Sequence, residues 1–157
     1  MRFLLLLILW LALSQACFAG AVAYRTGGPH FSKTWHAFYD LSDHEPEIDD
    51  PLIARGRPMV LAICGAIRHK DMKYRRYAIG ALGYIGDRRA LATLEGILKD
   101  RTEIDYFRGD ALHSIYWIDR GLGAGYAFKY KYENDYLTMM SDAIIKKAPW
   151  LLEPSGE

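Results

Sequence analysis

The sequence predicts an all-helical protein, a short α-solenoid of stacked helix pairs with capping segments at both ends. Two observations carry this. Tyr74, Tyr77, Ala78, Ala81, Leu82 and Ile85 fall at i, i+3, i+4, i+7, i+8 and i+11, one apolar face of a helix. The pattern then recurs: Ile104, Phe107, Ala111, Leu112 and Ile115 stand thirty positions after Tyr74, Tyr77, Ala81, Leu82 and Ile85. Upstream, Val60 to Ile67 aligns with Leu91 to Leu98 at an offset of thirty-one. A helix pair recurring at this period leaves an apolar face that only a stacked neighbour can cover.

Local signals place the elements in order. Asp50-Pro51 combines a capping carboxylate with a proline at the first helical position, which starts a short helix over 51–55 that stops near Gly56. Pro58 opens the next helix. After the Tyr74–Ile85 stripe, Gly86 suits the left-handed residue that ends a helix, and Asp87 caps the following one, whose stripe is Leu91, Leu94, Ile97 and Leu98. Thr102 is expected to cap the next, with Asp105 as an imperfect capping-box partner. Leu137, Met140, Ala143 and Ile144 give a last helix within 134–147, ended by Pro149, with Trp150 and Leu151 folding back. The organisation expected is a leader over 1–19, an aromatic and acidic cap over 20–50, repeats over 51–119, a glycine and aromatic loop over 120–133, and a helix with tail over 134–157.

The residues Lys73-Tyr-Arg-Arg-Tyr-Ala-Ile-Gly-Ala-Leu-Gly-Tyr-Ile-Gly-Asp87, followed by Ala90-Leu-Ala-Thr-Leu and Leu98-Lys-Asp100, resemble the HEAT-like repeat of the phycobilisome-lyase type. Arg75 or Arg76, Ala81-Leu82-Gly83 and Gly86-Asp87 match the arginine, Ala-Leu-Gly and Gly-Asp of that repeat. In the next repeat His113 and Tyr116 replace the glycines, and the resemblance covers about Pro58 to Ile118. It implies a solenoid and a binding role; it brings no catalytic residue, so lyase activity is not carried over.

The first nineteen residues read as an export signal. Arg2 is the positive start, Phe3 to Leu13 an unbroken apolar run, and Cys17 and Ala19 the small residues at a peptidase site. A second cut is available after Ala23. Two rival readings stand beside cleavage: retention as a membrane anchor, since no charge falls between Arg2 and Arg25, and lipidation of Cys17, against which Ser14 takes the place of the expected aliphatic residue. The expected location is exported, periplasmic or secreted, with membrane contact only if the leader is retained. Cleavage after Ala19 leaves Cys64 as the sole cysteine, in the apolar stretch 59–67, where a buried, inert thiol is expected. A formal net charge of +1 argues against a general nucleic-acid binder.

Two surfaces are candidates for a partner. Tyr126, Phe128, Tyr130 and Tyr132 alternate with Ala127, Lys129 and Lys131, so an extended 126–132 puts four rings on one side and the lysines on the other. The bland alternative is that the rings lie on the core. The second surface is basic and centres on Arg75 and Arg76, which suit an acidic partner or pair with Asp71, Asp100 or Asp105 in a structural ladder. The segment 24–50 holds His30, His36, His44 and the acids Asp40, Asp43, Glu45, Glu47, Asp49 and Asp50, a possible metal constellation centred on His30, His36 and Asp40 but without diagnostic spacing, while Phe31, Trp35, Phe38 and Tyr39 suit a packed cap. Ser114 beside His113 cannot align for nucleophilic attack, because adjacent helical residues point apart. Gly65, Gly80, Gly96 and Gly109 each cost about 1 kcal/mol of helix propensity, a cost expected to be offset by close helix approach.

The function expected is that of an exported, non-catalytic protein-binding or scaffold module without cofactor, in its sharpest form an immunity-type inhibitor of a toxin or cell-wall enzyme. A homodimer through one end of the stack is a further expectation. The alternatives are a metal-dependent hydrolase at His30, His36 and Asp40, or a tethered envelope protein.

Overall fold

A computed structural model of the chain describes residues 29–44 and 49–147. The leader, the acids Glu45 and Glu47, Trp150 with Leu151, and the side chain of His30 lie outside the described residues. Among the described residues all regular structure is helical. The α-helices are α1 (Pro29–Asp40), α2 (Pro51–Arg55), α3 (Val60–Ala66), α4 (Arg75–Ile85), α5 (Leu91–Lys99), α6 (Asp105–Ile118), α7 (Arg120–Tyr130) and α8 (Asp135–Ile145). Short 3-10 turns, Arg57–Met59 and Arg88–Ala90, lead into α3 and α5.

The packing centres on α6, which meets α4, α5, α7 and α8. Its Ala111, Leu112 and Ile115 are wholly buried, as the repeated apolar stripe requires. α2 and α3 pack on α4, and α7 packs on α8. α1 meets α2, and it drives Phe38 and Trp35 into the core, with Phe31 and Tyr39 packed beside them. Three element ends follow the sequence signals, at Asp50, Asp87 and Gly86. Asp50 Oδ1 accepts from the Leu52 amide at 2.7 Å, Asp87 Oδ1 from Arg89 at 2.9 Å, and Gly86 closes α4 at φ 69°. Asp50 also accepts from or faces His44 Nδ1 at 3.1 Å, both side chains being buried, so the cap ties the segment after α1 to α2. Asp50→Ala removes a cap and leaves His44 without its carboxylate; a loss of about 2 kcal/mol is expected in urea unfolding, against a near-neutral change for the exposed Asp49→Ala.

Four local expectations are corrected. Segment 120–133 is not an open loop: Arg120–Tyr130 is helix α7, capped by Asp119, whose Oδ1 accepts from Leu122 at 3.0 Å. Tertiary packing overrides the low helix propensity of its glycines, because a Cβ at Gly123 would stand 2.3 Å from the Tyr116 Cα; only glycine lets α6 and α7 approach so closely. Thr102 does not cap α6. Ile104 holds that position without a side-chain bond, and the Thr102 hydroxyl instead donates to Asp100 at 2.6 Å. Tyr74 precedes α4 in the left-handed region, at φ 58°, instead of lying within the helix. Finally, of the helical glycines read as packing sites, Gly109 meets Tyr136 closely, whereas a Cβ at Gly80 or Gly96 would meet nothing within 4 Å.

A pair of buried arginines ties successive helices together. Arg75 Nε donates to the Ile67 carbonyl at 2.6 Å and its Nη2 to Glu103 at 2.7 Å. Arg108 repeats the device: Nε donates to the Leu98 carbonyl at 2.9 Å and Nη2 to Glu133 at 2.5 Å. Each guanidinium thus satisfies a carbonyl left free at the end of one helix and joins it to a carboxylate just before another.

Candidate functional site

The α4–α6–α8 layer carries a candidate site in a cleft between rows of the three helices. Arg76, Gly80 and Tyr84 lie at i, i+4 and i+8 on α4; Asp110, His113, Ser114 and Trp117 at i, i+3, i+4 and i+7 on α6; and Tyr136, Met139 and Met140 at i, i+3 and i+4 on α8. Helical spacing therefore turns one row of each helix toward the same space. Together with Tyr77 they enclose a cleft of about 230 Å³.

One end of the cleft is a charged cluster. Arg76 Nε donates to Asp110 Oδ2 at 2.7 Å, the Tyr136 hydroxyl donates to Asp110 Oδ1 at 2.9 Å, and Arg76 Nη2 donates to the same hydroxyl oxygen at 2.9 Å. Burial, reinforced by the Asp110 charge, pushes the Tyr136 phenol up to about 12, so it remains a donor. The Asp110 hydrogen bond raises Arg76 further above its usual value. Gly109 is what admits Tyr136: a Cβ there would stand 2.3 Å from its ring.

The other end is aromatic. Tyr84 and Trp117 meet edge to face at 4.4 Å, and the His113 ring lies 4.2 Å from Trp117. Below them Ser114 Oγ donates to the Ile79 carbonyl at 3.0 Å, and Gly83 permits that contact, its Cβ position being 2.9 Å from the Ser114 Cα. Burial pushes His113 down to about 4, so the imidazole is neutral at pH 7. A depressed base binds its proton in the unfolded chain first, so stability falls as pH drops from 6.5 to about 4 and levels off below. With partial exposure discounted, the loss attributable to His113 is on the order of 2 kcal/mol. Urea unfolding at pH 7 and pH 4.5 checks it: His113→Gln should remove that part of the slope, and an unchanged slope would rule the assignment out.

The residues singled out from the sequence are dispersed. Arg75 is only 3 % exposed and is engaged in the buried ladder, so it offers no surface; its guanidinium is a structural tie. Its partner is Glu103, not Asp71, Asp100 or Asp105. Arg76 does reach a surface, within the cleft. Because 120–130 is helical, the rings of Tyr126, Phe128, Tyr130 and Tyr132 do not share one side: Tyr130 is buried and Tyr126 half-buried. Phe128 and Tyr132 are 69 % and 82 % exposed. Lys129 is exposed, and Lys131 turns to Asp142 at 2.6 Å. His36 and Asp40 are exposed, and among the described residues no three of His, Cys, Asp and Glu are grouped to share a metal ion. Cys64 is buried, and burial pushes its thiol up. No described helix is long and apolar enough to cross a membrane.

Asp110, His113, Trp117, Tyr136 and Met139 escaped the sequence reading as a site. Their signal was present on α6, where Asp110, His113 and Trp117 lie at helical spacing away from the apolar stripe, but on α8 the row Tyr136, Met139 and Met140 runs beside that stripe and shares Met140 with it. Compared with protein-family models, with curated proteins and with solved structures, the chain matches none, so its function is read from the cleft and the exposed surfaces alone.

Proposed function

We propose that the chain is an exported, non-catalytic protein-binding module built as a short α-solenoid of HEAT-like helix pairs. Supporting the solenoid, alternate helices α2, α4, α6 and α8 follow one another in contact, with α3, α5 and α7 packed against that row. The Arg75–Glu103 and Arg108–Glu133 ties repeat along it. The observation that carries the binding role is the composition of the cleft: Arg, Tyr, Trp and Met, the side chains that concentrate at the centres of protein interfaces. In its sharpest form the module is an immunity-type inhibitor that occludes a toxin or a cell-wall enzyme.

Affinity capture from the native host with a tag after Glu157, followed by intact-mass measurement, tests this. One stoichiometric protein is expected, with a mass corresponding to cleavage after Ala19. Capture with Gly80→Leu, which fills the cleft, and with Phe128→Asp/Tyr132→Asp, which alters the end of α7, locates the surface. The cleft variant should lose the partner and the α7 variant keep it. Recovery of only weakly held, salt-sensitive abundant proteins would refute the reading. Sedimentation of the free protein separates a homodimer from a monomer.

A further inference from the structure

We propose that the α4–α6–α8 cleft is a socket for a single aromatic side chain with a polar tip, a tyrosine or tryptophan presented by the partner protein. The inference rests on the protein-binding reading and specifies what that partner inserts.

Size is the first constraint. At about 230 Å³ the cleft is smaller than the roughly 300–1,000 Å³ of pockets that hold drug-sized ligands and cofactors, so it takes one side chain. There is free room beside Gly80, since a methyl group placed on it would meet nothing within 4 Å. Shape and chemistry come next. Tyr84 and Trp117 already pair edge to face, an arrangement that a third ring extends, and the thioethers of Met139 and Met140 are soft partners for ring edges. Asp110 and Tyr136 line the cleft, so a purely apolar side chain would cover these polar groups without offering a hydrogen bond, whereas a phenol or indole N–H brings a donor to the carboxylate.

Charge removes the other candidates. Arg76 and Asp110 cancel one another, and the neutral His113 and Tyr136 add nothing. A lysine would meet the Arg76 guanidinium, and a carboxylate would compete with Asp110 for it. The entrance is open, with the Arg76 side chain 52 % exposed and Met139 49 % exposed. A second hollow of about 510 Å³, bordered by Met72, Tyr74, Tyr106 and Phe107, shares Arg76 and Tyr136 with the cleft. It gives the residues flanking the inserted ring a continuous track, on which Tyr106 is 40 % exposed.

The test is a two-dimensional NMR titration of the uniformly labelled mature protein with N-acetyl amides of tyrosine, tryptophan, phenylalanine and lysine, and with methyl β-glucoside. The tyrosine and tryptophan amides should shift the Gly80 amide and the Trp117 indole saturably, with Kd in the millimolar range expected of such small ligands. The phenylalanine amide should bind several-fold more weakly, and the lysine amide and glucoside should leave both signals in place. Gly80→Leu should abolish the response at unchanged helicity; Met139→Lys, at the exposed rim, serves the same end should Gly80→Leu fail to fold. Saturable shifts with the glucoside and none with the aromatic amides would overturn the proposal, as would an aromatic response that survives both variants. The two readings fail separately. Host capture that is lost in Gly80→Leu while no amide binds keeps the protein-binding role and removes the aromatic anchor. Amide binding without any captured protein keeps the socket and removes the partner.

Discussion

Glu103→Ala should lower the free energy of unfolding by roughly 3–5 kcal/mol, the range found when one partner of a buried ion pair is removed. The pair qualifies on burial: the Arg75 and Glu103 side chains are 2 % and 4 % exposed, with N–O separation 2.7 Å. Truncation leaves the Arg75 charge buried, still donating to the Ile67 carbonyl but without a counter-ion. A replacement of both partners, Arg75→Met with Glu103→Leu, should recover most of the loss, because neither desolvated charge remains. Urea unfolding of the single and double variants checks this, and additive losses would show that the pair is not coupled. The pH dependence has a defined sign. Burial pushes the Glu103 carboxyl up, but Arg75 and the Ile104 amide outweigh it and hold the carboxyl below 4.5. Its stabilisation is therefore present above pH 4.5 and lost as pH falls through the lower folded value, a limb that Glu103→Ala should lack.

Gly123→Val should cost roughly 3 kcal/mol or more, beyond the ordinary range for an overpacked core. A Cβ at this position would stand 2.3, 2.6 and 2.7 Å from the Tyr116 Cα, Cβ and amide nitrogen. Two of those atoms are backbone, so no rotamer change relieves the clash and α6 and α7 must separate. Gly125→Val, on the same helix but with nothing within 4 Å, is the control: it should fall within about 1 kcal/mol of the parent. Thermal melts followed by circular dichroism decide it, and equal effects at the two positions would contradict the close helix crossing.

The two variants also separate what is local from what is not. The capping of α2 by Asp50, the turn at Gly86 and the apolar stripes of α4, α5 and α6 were legible because each depends on residues within one or two turns of one another. The ladder was not. Arg75 and Arg108 are thirty-three positions apart, off the thirty-residue period that aligns the apolar faces, so the repeat conceals their common role. Segment 126–132 misled for a related reason: period-two alternation of aromatics suggests an extended segment, yet the chain there is helical and Gly123 serves the approach of α7 to α6.

The sequence by itself determined that the described chain is helical, where α2 and α8 begin and α4 ends, and which stripes of α4, α5, α6 and α8 are buried, because propensity, capping and periodicity act between neighbours along the chain. Tertiary structure alone decided that Arg75 is interior, that Arg76 meets Asp110 and Tyr136, and that rows from α4, α6 and α8 enclose one cleft. Those facts depend on the rotation and separation of packed helices, which are set by contacts such as Gly83 on Ser114 and Gly109 on Tyr136 between residues far apart in the chain.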